Sequence, residues 1–115
     1  MKNIVLSLLF LSGCAAMNPQ TLREQGIREQ FVMRQSPAAA AACVARKEEA
    51  GGDINTSVRE GAEPGRIELV VFHGEFFYVT AEFAPQESGS IATAWISPQI
   101  IESSKKRHIE AFQGC

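Results

Sequence analysis

The chain has 115 residues, of which 45% are apolar. That length supports one small domain and excludes an enzyme with separate cofactor and substrate lobes. The chain carries 11 Lys and Arg residues against 13 Asp and Glu residues, which gives a net charge of −2 at pH 7. This balance shows no basic footprint for nucleic acid, so nucleic acid is not expected as a partner. The three cysteines form an odd count that needs its own explanation.

The amino-terminal segment has the pattern of an export signal. Lys2 precedes the apolar run Ile4–Leu11, which as a helix would span roughly 12 Å, far less than the ~30 Å hydrocarbon core of a bilayer. The run therefore indicates a signal segment rather than a membrane-spanning helix. It ends in Leu11-Ser12-Gly13-Cys14, which resembles the lipobox of bacterial lipoproteins at all four positions. The alternatives are an ordinary secretory signal and a buried apolar strand that contains a cysteine by chance.

The resemblance to lipoproteins implies a specific processing. Residues 1–13 would be removed as a signal peptide, the Cys14 thiol would be diacylated, and the new amino terminus would be acylated, with palmitate as a typical acyl group. Several acyl chains hold a protein on a membrane essentially permanently. Residues 14–20 would form the lipidated cysteine and a short tether. Ala15, rather than Asp, favours the outer membrane, with the domain facing the periplasm.

The remaining two cysteines are Cys43 and Cys115. Export places them in an oxidising compartment, where two such thiols usually form a disulfide. A redox thiol and a metal ligand are the alternatives. The sequence has no Cys-x-x-Cys motif and no His at ligand spacing from either cysteine, so the sequence predicts a Cys43–Cys115 disulfide and no metal site.

The chain beyond the tether alternates between helical and strand patterns. Composition predicts a helix over Thr21–Gln35, and Ser36-Pro37 followed by an alanine run predicts a second helix over Pro37–Ala50. Gly74-Glu75 predicts a type II′ turn between two strands, and Ser97-Pro98 predicts the start of a last helix that ends near Gly114. The predicted strands are Ile54–Arg59 (a weak edge strand), Arg66–His73, Phe76–Ala84 and Ile91–Ile96. These elements predict one α+β domain over residues 21–115, with N-terminal helices, a three- to four-stranded antiparallel β-meander and a C-terminal helix, stapled by one disulfide.

The turn also predicts a register for its two strands. It places His73 opposite Phe76, Phe72 opposite Phe77, Val70 opposite Val79 and Glu68 opposite Ala81. A nearly apolar face then lies beneath the helices, and a mixed face lies opposite. The mixed face would carry Phe76 and Tyr78. The register of the last strand stays open, and Trp95 falls on the core face or on the mixed face according to a one-residue slip.

An uncovered mixed face would be a surface for a partner. We take Phe76, Tyr78 and Trp95 as the candidate partner surface. The alternative is that these aromatic residues belong to the core and the sheet surface, which is the commoner role of such residues.

Few residues point to chemistry. His73 with Glu75 and Glu82 matches no ligand or acid–base motif, and His73 is interpreted as a residue that flanks a turn. His108 ends the basic run Lys105–His108, interpreted as a solvated helix end, with contact to anionic lipid as the alternative. No nucleophile, metalloprotease, phosphate-loop or dinucleotide motif is present. The sequence therefore predicts a protein without enzymatic activity, cofactor or small-molecule substrate.

These features predict a lipoprotein of the cell envelope with a binding or structural role. Its partners would be the membrane, through the anchor at Cys14, and an envelope protein. The alternative is a small inhibitor or exclusion lipoprotein that blocks an enzyme, a phage or a mating apparatus. A protruding acidic or aromatic loop at Gly74-Glu75 would favour that alternative.

Overall fold

The computed structural model describes residues 17–115, so the predicted signal segment and Cys14 lie outside the described residues. The helices are α1 (Pro19–Gln25), α2 (Pro37–Glu49) and α3 (Glu102–Gln113). The strands are β1 (Ile27–Met33), β2 (Asn55–Glu60), β3 (Ile67–His73), β4 (Phe76–Gln86) and β5 (Gly89–Ile96). The predicted α+β class is confirmed, and the sheet has five strands rather than the three or four predicted.

The five strands form one antiparallel sheet in the order β1-β5-β4-β3-β2. Strands β2 to β5 form the predicted meander, in which each strand pairs with the next one along the chain. Strand β1 comes from the segment before α2 and pairs with the free side of β5. The two edges of the sheet are therefore β1 and β2. This confirms the edge position predicted for the strand Ile54–Arg59, which corresponds to β2.

The strand missing from the sequence prediction is β1. The predicted helix over Thr21–Gln35 is correct only in its first part, because α1 ends at Gln25 and begins at Pro19, inside the predicted tether. At Gly26 the backbone becomes extended, and its N–H donates to the Leu22 carbonyl. The following residues alternate between half-buried and exposed positions. Pairing with β5 overrides the helical composition of this segment.

Helix α2 confirms the second predicted helix. The Ser36 hydroxyl accepts a hydrogen bond from the Ala39 N–H at 3.4 Å, and Pro37 occupies the first helical position. Ala40 and Ala41 are fully buried. Their small side chains let the helix lie close against the sheet.

Helix α3 starts later than predicted. Ser97 continues the line of β5, because its N–H donates to the Tyr78 carbonyl at 2.8 Å. Its hydroxyl accepts from the Gln99 N–H at 3.2 Å. The helix therefore begins only at Glu102, where Ile101 precedes it without a side-chain cap. The predicted start at Ser97-Pro98 is wrong because the sheet holds Ser97.

The β3–β4 hairpin has the predicted two-residue turn. Gly74 has a φ of +58°, as the first position of a type II′ turn requires. His73 lies opposite Phe76, and Phe72 lies opposite Phe77. Both pairs next to the turn agree with the prediction.

Further from the turn the register changes at a β-bulge. Tyr78 is an extra residue on β4, so Val71 rather than Val70 lies opposite Val79. The predicted pairing of Val70 with Val79 is wrong for this reason. Beyond the bulge, Leu69 and Val71 share the core face with Val79, whereas Val70 lies on the other face.

The core lies between the sheet and the helix layer, a name we use for α2 and α3. Its aromatic centre is Phe112, whose ring centroid lies 4.9 Å from that of Phe31 and 6.0 Å from that of Phe83. The other buried strand residues of the core are aliphatic side chains and one methionine: Met33, Leu69, Val71, Val79, Ala81, Ala92, Ala94 and Ile96. Helix α1 covers part of the opposite sheet face and buries Leu22 there.

Strand β5 settles the register that the sequence leaves open. Phe83 lies opposite Ala92, and Thr80 lies opposite Trp95. Ala92 belongs to the core and lies on the sheet face that the helix layer covers. Trp95 therefore lies on the sheet face that α1 partly covers.

Candidate functional site

The predicted disulfide is present and joins the two helices of the helix layer. Cys43 of α2 bonds to Cys115, the second residue after α3, with their Cα atoms 6.0 Å apart. The bond closes a chain segment with a sequence separation of 72. It fastens the end of α3 to the middle of α2.

A second link between the same helices is a buried pair of titratable side chains. Nδ1 of His108 lies 2.8 Å from both carboxylate oxygens of Glu48. His108 has no exposed surface, and Glu48 is 4% exposed. The interpretation of His108 as part of a solvated basic run is therefore wrong, although Lys106 and Arg107 are exposed.

The pairing fixes what the His108 ring can do. A carboxylate only accepts hydrogen bonds, so Nδ1 of His108 is the donor in this pair. Nε2 is enclosed and has no hydrogen-bond partner, and the Tyr78 ring lies against the imidazole at 5.5 Å between centroids. A carboxylate that orients an imidazole is also found in catalytic and metal sites. Here Nε2 is enclosed, so a substrate would not reach it. The pair instead links α2 to α3.

The residues of the candidate partner surface lie on two sides of the sheet. Phe76 and Tyr78 are in contact, with ring centroids 4.8 Å apart, and Tyr78 packs against His108 on the helix-layer side. Phe76 is 39% exposed beside the turn. Trp95 lies on the opposite face beneath Arg23 of α1. The structure therefore brings together two of the three predicted residues and separates the third from them.

The face that carries Trp95 has a network of arginines and glutamates. Arg23 of α1 has its guanidinium carbon 4.9 Å from the centroid of the Trp95 ring. The same guanidinium lies 3.3 Å from a Glu68 oxygen and 3.7 Å from a Glu82 oxygen. Glu68 and Glu82 are opposite each other on β3 and β4, where two like charges repel. Arg23 relieves this repulsion and holds α1 on the sheet.

Two further arginines complete the network. Arg59 of β2 lies 3.0 Å from Glu68, and Arg66 lies 2.7 Å from Glu82 and 2.9 Å from Glu63. Glu63, Glu68 and Glu82 thus each have at least one arginine partner. We call this surface the arginine face, defined by Arg23, Arg28, Arg59 and Arg66; Arg28 belongs to it because it lies opposite Trp95.

The third group considered in the sequence does not assemble. His73 and Glu75 are exposed at the β3–β4 turn. Glu82 lies further along β4, about 20 Å from the turn at the usual strand rise, and is paired with Arg66. Within residues 17–115, no cluster of three or more His, Cys, Asp or Glu side chains could hold a metal ion. The Gly74-Glu75 turn is tight and is not a protruding loop.

Sequence reasoning missed the Glu48–His108 pair. Its signal is helical spacing, since Glu48 follows the buried Val44 by four positions and His108 precedes the buried Phe112 by four. Both polar residues therefore fall on buried stripes. The arginine network had no such signal, because Glu68 and Glu82 come to lie opposite each other only through the bulge at Tyr78.

No protein-family model, curated protein or solved structure matches this chain. None of the helices in the described part of the chain has the length and apolar character needed to cross a bilayer.

Proposed function

We propose that this protein is a lipoprotein, anchored through Cys14 in the cell envelope and facing the periplasm, that binds an envelope partner or supports envelope structure without enzymatic activity. The observation that carries the proposal is the Cys43–Cys115 disulfide. It accounts for two of the three cysteines and leaves Cys14, the residue at the lipobox position. A structural disulfide is also typical of exported proteins.

The start of α1 supports a role at the membrane surface. Asn18 caps this helix, since its side-chain oxygen accepts a hydrogen bond from the Thr21 N–H at 2.8 Å. The chain from Cys14 to Asn18 reaches at most about 14 Å when fully extended. A domain on so short a tether would stay close to the lipid that carries it. Ala15 favours the outer membrane as its location.

The placement of the titratable groups supports a role without catalysis. The one imidazole that a carboxylate orients, among the described residues, is His108, and its free nitrogen is enclosed. Glu82 is paired with arginines, far from His73 at the turn. Phe76, exposed beside Tyr78, is the part of the predicted partner surface that a protein partner would meet.

The anchor is tested by intact-mass measurement of the protein from the membrane fraction. We expect the mass of residues 14–115 plus a diacylglyceryl group and one further acyl chain. The Cys14→Ser variant should carry no acyl mass and should leave the membrane fraction. The matched control is the Cys43→Ser/Cys115→Ser variant, which keeps the anchor cysteine and should keep the acyl mass. A membrane-fraction protein with an unmodified Cys14 refutes the proposal.

A further inference from the structure

The arginine face and helix α1, the first helix after the tether, lie on the same side of the sheet. Helix α1 packs on this face, where Arg23 contacts Trp95, and the tether enters α1 at Asn18. The helix layer lies on the other side of the sheet. Since each packed layer adds about 10 Å, the basic run Lys105–His108 of α3 lies about 20 Å from α1, whereas the arginine face lies directly against α1.

The arginine face has cationic capacity that the protein does not use internally. Glu63, Glu68 and Glu82 are each paired with arginines of the face. Arg28 is exposed on edge strand β1, and no carboxylate among the described residues forms an ion pair with it. The exposed Arg34 directly follows the same strand and likewise lacks an acidic partner there.

An apolar strip lies beside these free arginines. Val32 of β1 is 76% exposed. It lies opposite Ile91, which in turn lies opposite Ala84, and both of these are only partly buried. Exposed arginine next to exposed aliphatic surface suits the boundary between lipid headgroups and acyl chains.

We propose that the arginine face lies against the phosphate-bearing headgroups of the bilayer that holds the anchor, and that Arg28 of this face makes the contact together with the neighbouring Val32 and Arg34. The proposal rests on lipidation of Cys14. Guanidinium groups bind phosphate oxygens through paired hydrogen bonds. A tether of about 14 Å keeps the local concentration of headgroups high, so that a few weak contacts suffice. The helix layer, with Phe76 at its edge, then points toward the periplasm.

Trp95 makes this orientation measurable. It is the only tryptophan of the chain, and it lies on the arginine face. The lipidated protein is reconstituted into vesicles with dansyl-labelled headgroups, either of phosphatidylglycerol mixed with phosphatidylethanolamine or of phosphatidylcholine alone. We expect energy transfer from Trp95, taken from donor lifetimes, to be at least twofold more efficient in the anionic vesicles. Raising the salt concentration should remove the difference.

Charge-reversal variants identify the face. Arg28→Glu/Arg34→Glu should abolish the dependence on lipid charge, whereas the control Lys105→Glu/Lys106→Glu on α3 should leave it unchanged. Equal transfer in both vesicle types for the unaltered protein overturns the orientation, as does loss of the dependence in the α3 control alone. Flotation with vesicles separates the two proposals: protein that floats without lipid-dependent transfer refutes the orientation only. Protein that does not float refutes the anchor, and the orientation with it.

Discussion

The buried Glu48–His108 pair predicts an unusual relation between two single variants and their combination. In Glu48→Leu, Nδ1 of His108 loses its acceptor while both ring nitrogens stay enclosed. In His108→Phe, the Glu48 carboxylate loses its donor. Breaking a buried pair from one side costs about 3–5 kcal/mol. Since a small domain has only about 5–15 kcal/mol of unfolding free energy, each single variant should lose a large share of its stability.

The double variant Glu48→Leu/His108→Phe should behave differently. It removes both buried polar groups, including Nε2, which lacks a partner already and costs about 1–3 kcal/mol as an unsatisfied buried atom. Phe keeps a ring against Tyr78, which lies 5.5 Å from the imidazole. Replacing both partners of a buried pair by apolar side chains is often neutral, or stabilising by about 1–4 kcal/mol. The double variant should therefore be at least as stable as the unaltered domain.

The assay is urea unfolding with the disulfide intact, followed by Trp95 fluorescence. The four proteins form a double-mutant cycle, and the coupling free energy should amount to several kcal/mol. If the unfolding free energy falls with urea concentration at the same slope in all four proteins, they unfold between the same states. The reasoning is refuted if both single variants lose less than about 1 kcal/mol, or if the double variant loses the sum of the two.

The remaining two predictions concern the disulfide and the exposed aromatic residue. Cys43→Ala/Cys115→Ala should lower the unfolding free energy by about 4 kcal/mol, from the closure entropy of a loop of this length; an unchanged urea midpoint would contradict it. Phe76→Ala should reduce the crosslinked recovery of an envelope partner with a small loss of stability, since Phe76 is 39% exposed. The control Val58→Ala, at a residue 45% exposed on β2, should leave recovery unchanged, and equal recovery from both variants would exclude Phe76 as the contact.

Local signals in the sequence predict local structure well in this chain. Ser36-Pro37 and the alanine run specify α2, and Gly74-Glu75 specifies the turn and the two residue pairs next to it. In each case the residues that decide the structure are adjacent along the chain.

Structure that depends on pairing between distant segments of the chain could not be predicted from these local signals. The segment Ile27–Met33 has a helical composition, and only β5, some 60 residues later, makes it a strand. The bulge at Tyr78 moves Val70 and Glu68 to other partners than the turn alone predicts. Trp95 is separated from Phe76 for the same reason, because a single extra residue exchanges the two faces of a strand.

The position of the disulfide sets how the domain would respond to tension from the proposed anchor. The Cys43–Cys115 bond encloses the second half of α2, strands β2 to β5 and α3 in one covalent loop, and α1, β1 and the first half of α2 lie outside it. A pull between the amino-terminal side and Cys115 can extend only the segment before Cys43. Strand β1 would detach from β5 at the edge of the sheet while the other four strands stayed within the loop. The disulfide would thus confine unfolding by such a force to α1, β1 and the first half of α2.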